Sequence, residues 1–269
     1  MKKVLLLVLL IFLAGCVQGE EGGGKEKKPL QERKETGKLL KVEFEDLPQE
    51  IKAGEKIYFR IKLRAEEDLS NVEFSFTLPR FESNCNGRKF IGDMKGGEIF
   101  DMGCYLIAPE GNGTYEGRWS TKYSLEEREA DLKVTVYESS AGRSGGSAKS
   151  GFSGIDGTFS AEPSEVVNGE KIKFHLEVSD ENLVRDESCW CTIEEAEIRM
   201  PVGFTVVGLE NWRKIPCDGY SCYRASNLQE LNEEFYASIG VSETRTFDIK
   251  AVLRNVWKGE SGKVSVKVI

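Results

Sequence analysis

PQEIKAGEKIYFRIKL at residues 48–63 returns as PSEVVNGEKIKFHLEV at residues 163–178, 115 positions further on. Seven of the 16 aligned residues are identical, where unrelated segments share about one. Both copies lead from a proline through Gly54-Glu55 or Gly169-Glu170 into strict alternation. Ile57, Phe59, Ile61 and Leu63 alternate with Lys56, Tyr58, Arg60 and Lys62. Ile172, Phe174, Leu176 and Val178 alternate with Lys171, Lys173, His175 and Glu177 in the same way. Period two means one face in a core and one in water, the pattern of an antiparallel strand. The Gly-Glu pairs are turn signals that start it.

Working outward, VEFSFTLP at 72–79 matches the pattern of EEAEIRMP at 194–201, and KVTV at 133–136 matches KVSV at 263–266. Two copies of one unit, each of 100–115 residues, account for this. Further strands are predicted at 40–45, 70–78, 98–108, 115–123, 131–137, 193–200, 203–209, 245–254 and 262–268. That density of short strands predicts an all-β chain of two tandem β-sandwiches. The expected domains are residues 39–138 and 158–269, joined by a Gly/Ser-rich linker of low stiffness at 139–157. One helix is expected, where Ser226 and Gln229 form a capping box before Leu228, Leu231 and Phe235.

A proline, a Gly-Glu turn, an alternating strand and then LPRF (78–81) or MPVGF (200–204) resembles the immunoglobulin-like repeats of prokaryotic surface proteins. The resemblance spans most of residues 40–269 and implies a spacer, adhesin or docking module. Fold alone does not choose among these.

The amino-terminal MKKVLLLVLLIFLAGC pairs Lys2 and Lys3 with ten apolar residues, Val4 to Leu13. A mature membrane helix needs about 20 apolar residues, so this run fits a cleaved signal peptide, residues 1–15. Leu13-Ala14-Gly15-Cys16 resembles the lipobox of prokaryotic lipoproteins. That resemblance implies lipid on the Cys16 thiol and an anchor at the extracytoplasmic face of the membrane. Residues 16–38 then form the lipidated cysteine and a tether whose eleven charged side chains and triple glycine cannot bury themselves. With 39% hydrophobic and 30% charged residues the 269-residue chain is globular in composition. Its net charge of −8 argues against nucleic acid as a partner.

Cys85 and Cys104 fall in the first unit, and Cys189, Cys191, Cys217 and Cys222 in the second. An even number outside the cytoplasm reads as disulfides. Cys189 and Cys191 are too close in sequence to close easily on each other. Each is therefore expected to pair with Cys217 or Cys222, the rival being a four-thiolate zinc site. Apart from that rival no metal and no cofactor is expected. His175, the single histidine, lies on the polar register of its strand and reads as surface. Asp180-Glu181 and Asp186-Glu187 lack calcium-loop spacing and read as solvated loop. GRSGGSAKS at 142–150 fails as a phosphate loop, because Ala148 replaces the needed glycine. Asn112-Gly113-Thr114 is a glycosylation sequon.

Trp190, Trp212, Tyr220 and Tyr223 cluster around the second-unit cysteines. Aromatics on cross-linked loops suit the binding of an extracellular protein or glycan, and the alternative is a small core beneath the disulfides. The chain thus reads as a non-enzymatic, lipid-anchored surface protein that binds or docks. The rival classes are a subunit of a surface assembly and a small hydrolase. Glu (35) and Lys (23) far outnumber Gln (4) and His (1), a usage that resembles hyperthermophile proteins. Calorimetry is therefore expected to place the melting temperature above about 90 °C, and a transition near 55 °C with intact disulfides would sink that inference.

Overall fold

The computed structural model describes residues 39–139, 145–185 and 191–269. The expectations for the signal peptide, Cys16, the tether, Asp186-Glu187, Cys189 and Trp190 lie outside those residues. The first copy of the repeat supplies β1 (Leu40–Glu45), β2 (Glu50–Ile51), β3 (Lys56–Ala65), β4 (Leu69–Thr77), β5 (Glu82–Ser83), β6 (Gly87–Met94), β7 (Ile99–Ile107) and β8 (Gly113–Tyr137). A hairpin follows, of β9 (Ala148–Phe152) and β10 (Ile155–Glu162). The second copy continues with β11 (Glu165–Val167), β12 (Ile172–Val178), β13 (Ile193–Pro201), β14 (Thr205–Val207) and β15 (Arg213–Cys217). It ends with β16 (Tyr220–Leu228), β17 (Leu231–Ser238) and β18 (Arg245–Val268). The described residues contain no helix.

Three sheets make two β-sandwiches. A nine-stranded central sheet runs β15-β16-β13-β18-β8-β4-β6, with β2 and β11 attached to the ends of the long strands. A four-stranded sheet, β1-β3-β7-β5, covers one half of it, and a five-stranded sheet, β14-β17-β12-β10-β9, covers the other. In the first sandwich Phe44 of β1 and Phe59 of β3 meet Phe76 of β4, with ring centroids 5.7 and 6.1 Å apart. In the second, Phe174 and Phe235 stack at 5.0 Å on the inner face of their sheet.

The two long strands join the halves. β8 has 25 residues and β18 has 24, and they pair antiparallel from Gly113↔Val268 to Val136↔Arg245. The buried residues of β8 change phase midway. Gly117, Thr121, Tyr123 and Leu125 are buried in the first half, then Ala130, Leu132, Val134 and Val136 in the second. Odd and even residues of a strand point to opposite faces, so the two covering sheets lie on opposite faces of the central sheet. β18 mirrors this, with Ile249, Ala251 and Leu253 buried first and Val256, Lys258, Val266 and Val268 later.

The same phase change explains why the alternation reads as separate strands at 115–123 and 131–137, and again at 245–254 and 262–268. It also corrects the domain boundaries. The end of β8 lies beside β11 of the second sandwich, through Glu165↔Thr135 and Val167↔Tyr137. The end of β18 lies beside β2 of the first, through Lys267↔Glu50. Each copy of the repeat thus completes the other's sandwich. Glycine does not break β18, because Gly262 lies under the Trp119 ring, where a Cβ would come within 2.6 Å.

Two further expectations are corrected. Residues 148–157 of the expected linker are strand and turn, with β9 paired to β10 at the sheet edge. The apolar residues Phe152 and Ile155 bury themselves there, which the Gly/Ser content hides. The expected helix near Ser226–Phe235 is instead strand: β16 ends at Leu228 in the central sheet, with Asn227 in the left-handed region (φ 58°) near its end, and the chain crosses to β17 of the covering sheet at Leu231. Leu231, Phe235 and Ala237 face the core at strand spacing, so the helical spacing of Leu228, Leu231 and Phe235 was coincidental.

Where the halves meet, Lys258 is fully buried and its ammonium lies 2.6 Å from Asp180. It also donates to the Gly154 carbonyl at 2.8 Å. Asp180 accepts from the Asp156 and Asn182 amides as well. Burial pushes the Asp180 carboxyl up, but the Lys258 hydrogen bond and the two amides hold it below the ordinary range. Asp180 is therefore a buried counter-ion and not part of a solvated loop.

Candidate functional site

Of the four second-unit aromatics, Trp212 and Tyr223 are buried at 6% and 8% exposure and belong to the main core. Tyr223 sits opposite Ile198 on the core side of β16. Their expected role as exposed anchors is corrected to packing. Tyr220 is half-buried beside the β15–β16 turn. An exposed aromatic surface is not assembled there from these three described residues.

The cysteine pairing follows the expectation in the first unit and differs from it in the second. Cys85 bonds Cys104, and Cys217 bonds Cys222. The Asp218-Gly219 turn, with Gly219 at φ 73°, sets Cys217 opposite Tyr220. Cys222 is then diagonal to Cys217 on the same face, with Cα atoms 6.1 Å apart, within disulfide range. This removes both sulfurs from any bond to Cys189 or Cys191 and from a four-thiolate zinc site. Cys191 is buried. Among the described residues no three His, Cys, Asp or Glu converge as metal ligands. His175 lies on the outer face of β12, 2.8 Å from Asn232. Asn112 is exposed just before β8.

Ion pairs cover the outer face of the central sheet's second half. On the second half of the central sheet, Glu197 is 3% exposed and held by Arg199 at 2.7 Å and Arg224 at 2.6 Å. Burial pushes its carboxyl up, yet these guanidiniums, with Arg254 behind them, bring it down to about 2. Arg254 also pairs with Glu195 and Glu127, and Lys250 with Glu129 and Asp131. Such networks stabilise chiefly at high temperature.

The outer face of the first covering sheet carries aromatics as well as ion pairs. On the first sandwich β3 and β7 put Tyr58 opposite Tyr105 and Arg60 opposite Gly103. Tyr58 is 70% exposed, although every neighbour in its register on β3 is charged. Arg60 reaches Asp101 with Nε at 3.0 Å and with Nη2, a two-point ion pair. Asn84 hooks the β7 edge, accepting the Tyr105 amide at 2.8 Å and donating to the Gly103 carbonyl at 3.3 Å. Behind the hollow, the Cys85–Cys104 bond ties the Asn84 loop to β7, with both residues buried. Together with Asp46, these groups line a depression of about 590 Å³, the volume range of small-ligand sites.

Sequence reading missed this place. Its one legible signal was Tyr58, an aromatic on the solvent register of the decisive strand. The register of β7, which adds Tyr105 and Gly103, is set only by pairing.

No protein family matches the sequence, and no curated protein matches it. Among solved structures, the chain is similar to the ASH/PapD-like domain 7 of human CEP192, at 13% identity over 39% of this chain and 83% of that one, TM-score 0.22. It is also similar to Spo0M, a sporulation control protein from Bacillus subtilis, at 10% identity over 52% of this chain and 79% of that one, TM-score 0.20.

Proposed function

We propose that this chain is a non-catalytic binding module held by lipid at the extracytoplasmic face of a membrane. The observation that carries the binding role is the exposed Tyr58 beside the half-buried Tyr105, at the edge of the hollow over Gly103. The lipobox at Leu13 to Cys16 supports the anchor, and the two disulfides suit an oxidising compartment. Lipid inserts with about 0.8 kcal/mol per buried CH₂, so two or more chains hold such a body at a surface. The cross-strand ion-pair network supports the expected thermal stability.

The anchor has a direct test. Cys16→Ser is expected to move the protein from the detergent phase to the aqueous phase, or to block its maturation. Detergent partitioning equal to that of the unaltered protein would overturn the lipid attachment.

A further inference from the structure

We propose that the hollow over Gly103 is a binding site for a neutral saccharide, an assignment that rests on reading the chain as a binding module. The internal repeat supplies the control. Tyr58 in the first copy corresponds to Lys173 in the second, and Arg60 to His175. Gly103 lies opposite Arg60, while Glu234 lies opposite His175. In the second sandwich Lys173 and Glu234 make an ion pair at 2.6 Å across that place. An aromatic stands beside this place in both copies, Tyr105 opposite Tyr58 and Tyr236 opposite Lys173, so the copies differ by Lys173 and Glu234, which close it by charge, against Tyr58 and Gly103, which open it.

The glycine has no folding reason. Gly103 is not in the left-handed region, and a Cβ built on it meets nothing within 4 Å. A glycine in mid-strand costs roughly 0.5–1 kcal/mol against alanine, and here the fold gains no packing in return. What it leaves is the open floor of the hollow.

The lining suits a sugar. Two tyrosines side by side offer faces for the apolar C–H side of a pyranose and hydroxyls at their tips. Arg60 and Asp101, each fixed by the other, present planar donors and acceptors spaced for neighbouring hydroxyls. One guanidinium among Asp46 and Asp101 leaves no positive excess to hold a phosphate or carboxylate. Lys56, whose ammonium is 4.3 Å from the Tyr105 centroid, is not among the residues that line the hollow. A protein partner needs about 800 Å² on each side, whereas this apolar surface is interrupted by the Arg60–Asp101 and Lys62–Glu45 ion pairs. The disulfide and the Asn84 hook fix the walls beforehand, so little ordering is left for the ligand to impose.

The test is native affinity electrophoresis of the full chain in detergent, with dextran, mannan, starch or galactan cast into the gel. At least one of these is expected to retard the unaltered protein. Tyr58→Ala, and Gly103→Glu, which brings in the acidic residue of the second copy, should each weaken that retardation at least about tenfold. Tyr58→Trp should keep it, and Tyr58→Ala should melt at the unaltered temperature because its ring is solvent-facing. Failure of all four polymers to retard the unaltered chain overturns the proposal, as does equal retardation of Gly103→Glu. If the chain binds none of them yet captures a membrane-surface protein specifically, only the saccharide falls; if it captures neither, the binding-module reading falls with it.

Discussion

A chain of residues 39–138 is expected to form dimers or aggregates, not a monomeric sandwich. Its own β4, β6 and β8 would be present, but the strand that closes the first sandwich comes from residues 256–268. Val256, Val266 and Val268 are at most 1% exposed there, and each buried valine contributes roughly 1.5–3 kcal/mol. Losing three, with the main-chain ladder beside them, is comparable to the whole stability of a domain, about 5–15 kcal/mol. The fragment's own Leu132, Val134 and Val136, now at most 2% exposed, would also lose their cover. The open edge of β8 is a template for a second copy. Light scattering after size exclusion measures the state directly. Mixing with residues 139–269 should give a one-to-one complex that melts cooperatively. A monomer of 39–138 with a cooperative transition of its own would show that the shared strands are dispensable.

Lys258→Met is expected to be the most damaging single substitution of a charged residue, costing about 3–5 kcal/mol at pH 7. Methionine fills much of the same space, so the loss comes chiefly from Asp180, left as a buried carboxylate without its cation. The pH dependence follows from the sign of the Asp180 shift. In the unaltered protein its carboxyl is held below the ordinary range, so its stabilisation is present above that range and fades as pH falls through the lowered value. Without Lys258 burial dominates, the carboxyl moves up, and protonation relieves the strain. The deficit should therefore shrink between pH 7 and about pH 4. Adding Asp180→Asn should recover part of it at pH 7. Guanidinium unfolding of the three variants at both pH values decides this, and a Lys258→Met loss under about 1 kcal/mol at pH 7 would refute the burial argument.

Both effects arise where the halves interlock, and that interlock marks the boundary of what could be read from the chain. The repeat at 48–63 and 163–178, its alternating strands and the all-β sandwich class are local consequences of period-two patterning, and β1 and β3 stand where that pattern puts them. Local patterning carries no information on which strand another will pair with. The phase change between Leu125 and Ala130 looked like an end of strand, although backbone pairing to β18 continues through it. Asp180 looked like a solvated acid because its partner is Lys258, 78 residues away. Trp212 and Tyr223 looked like loop aromatics because burial is a property of the sheet packed above them. Tyr58 was visible on the solvent register, but Tyr105, Gly103 and Asn84 join it only through β7 pairing and the Cys85–Cys104 bond. Alternation tells each residue which side of its strand it occupies. What covers that side depends on long-range pairing, and here the covering strand comes from the other copy of the repeat.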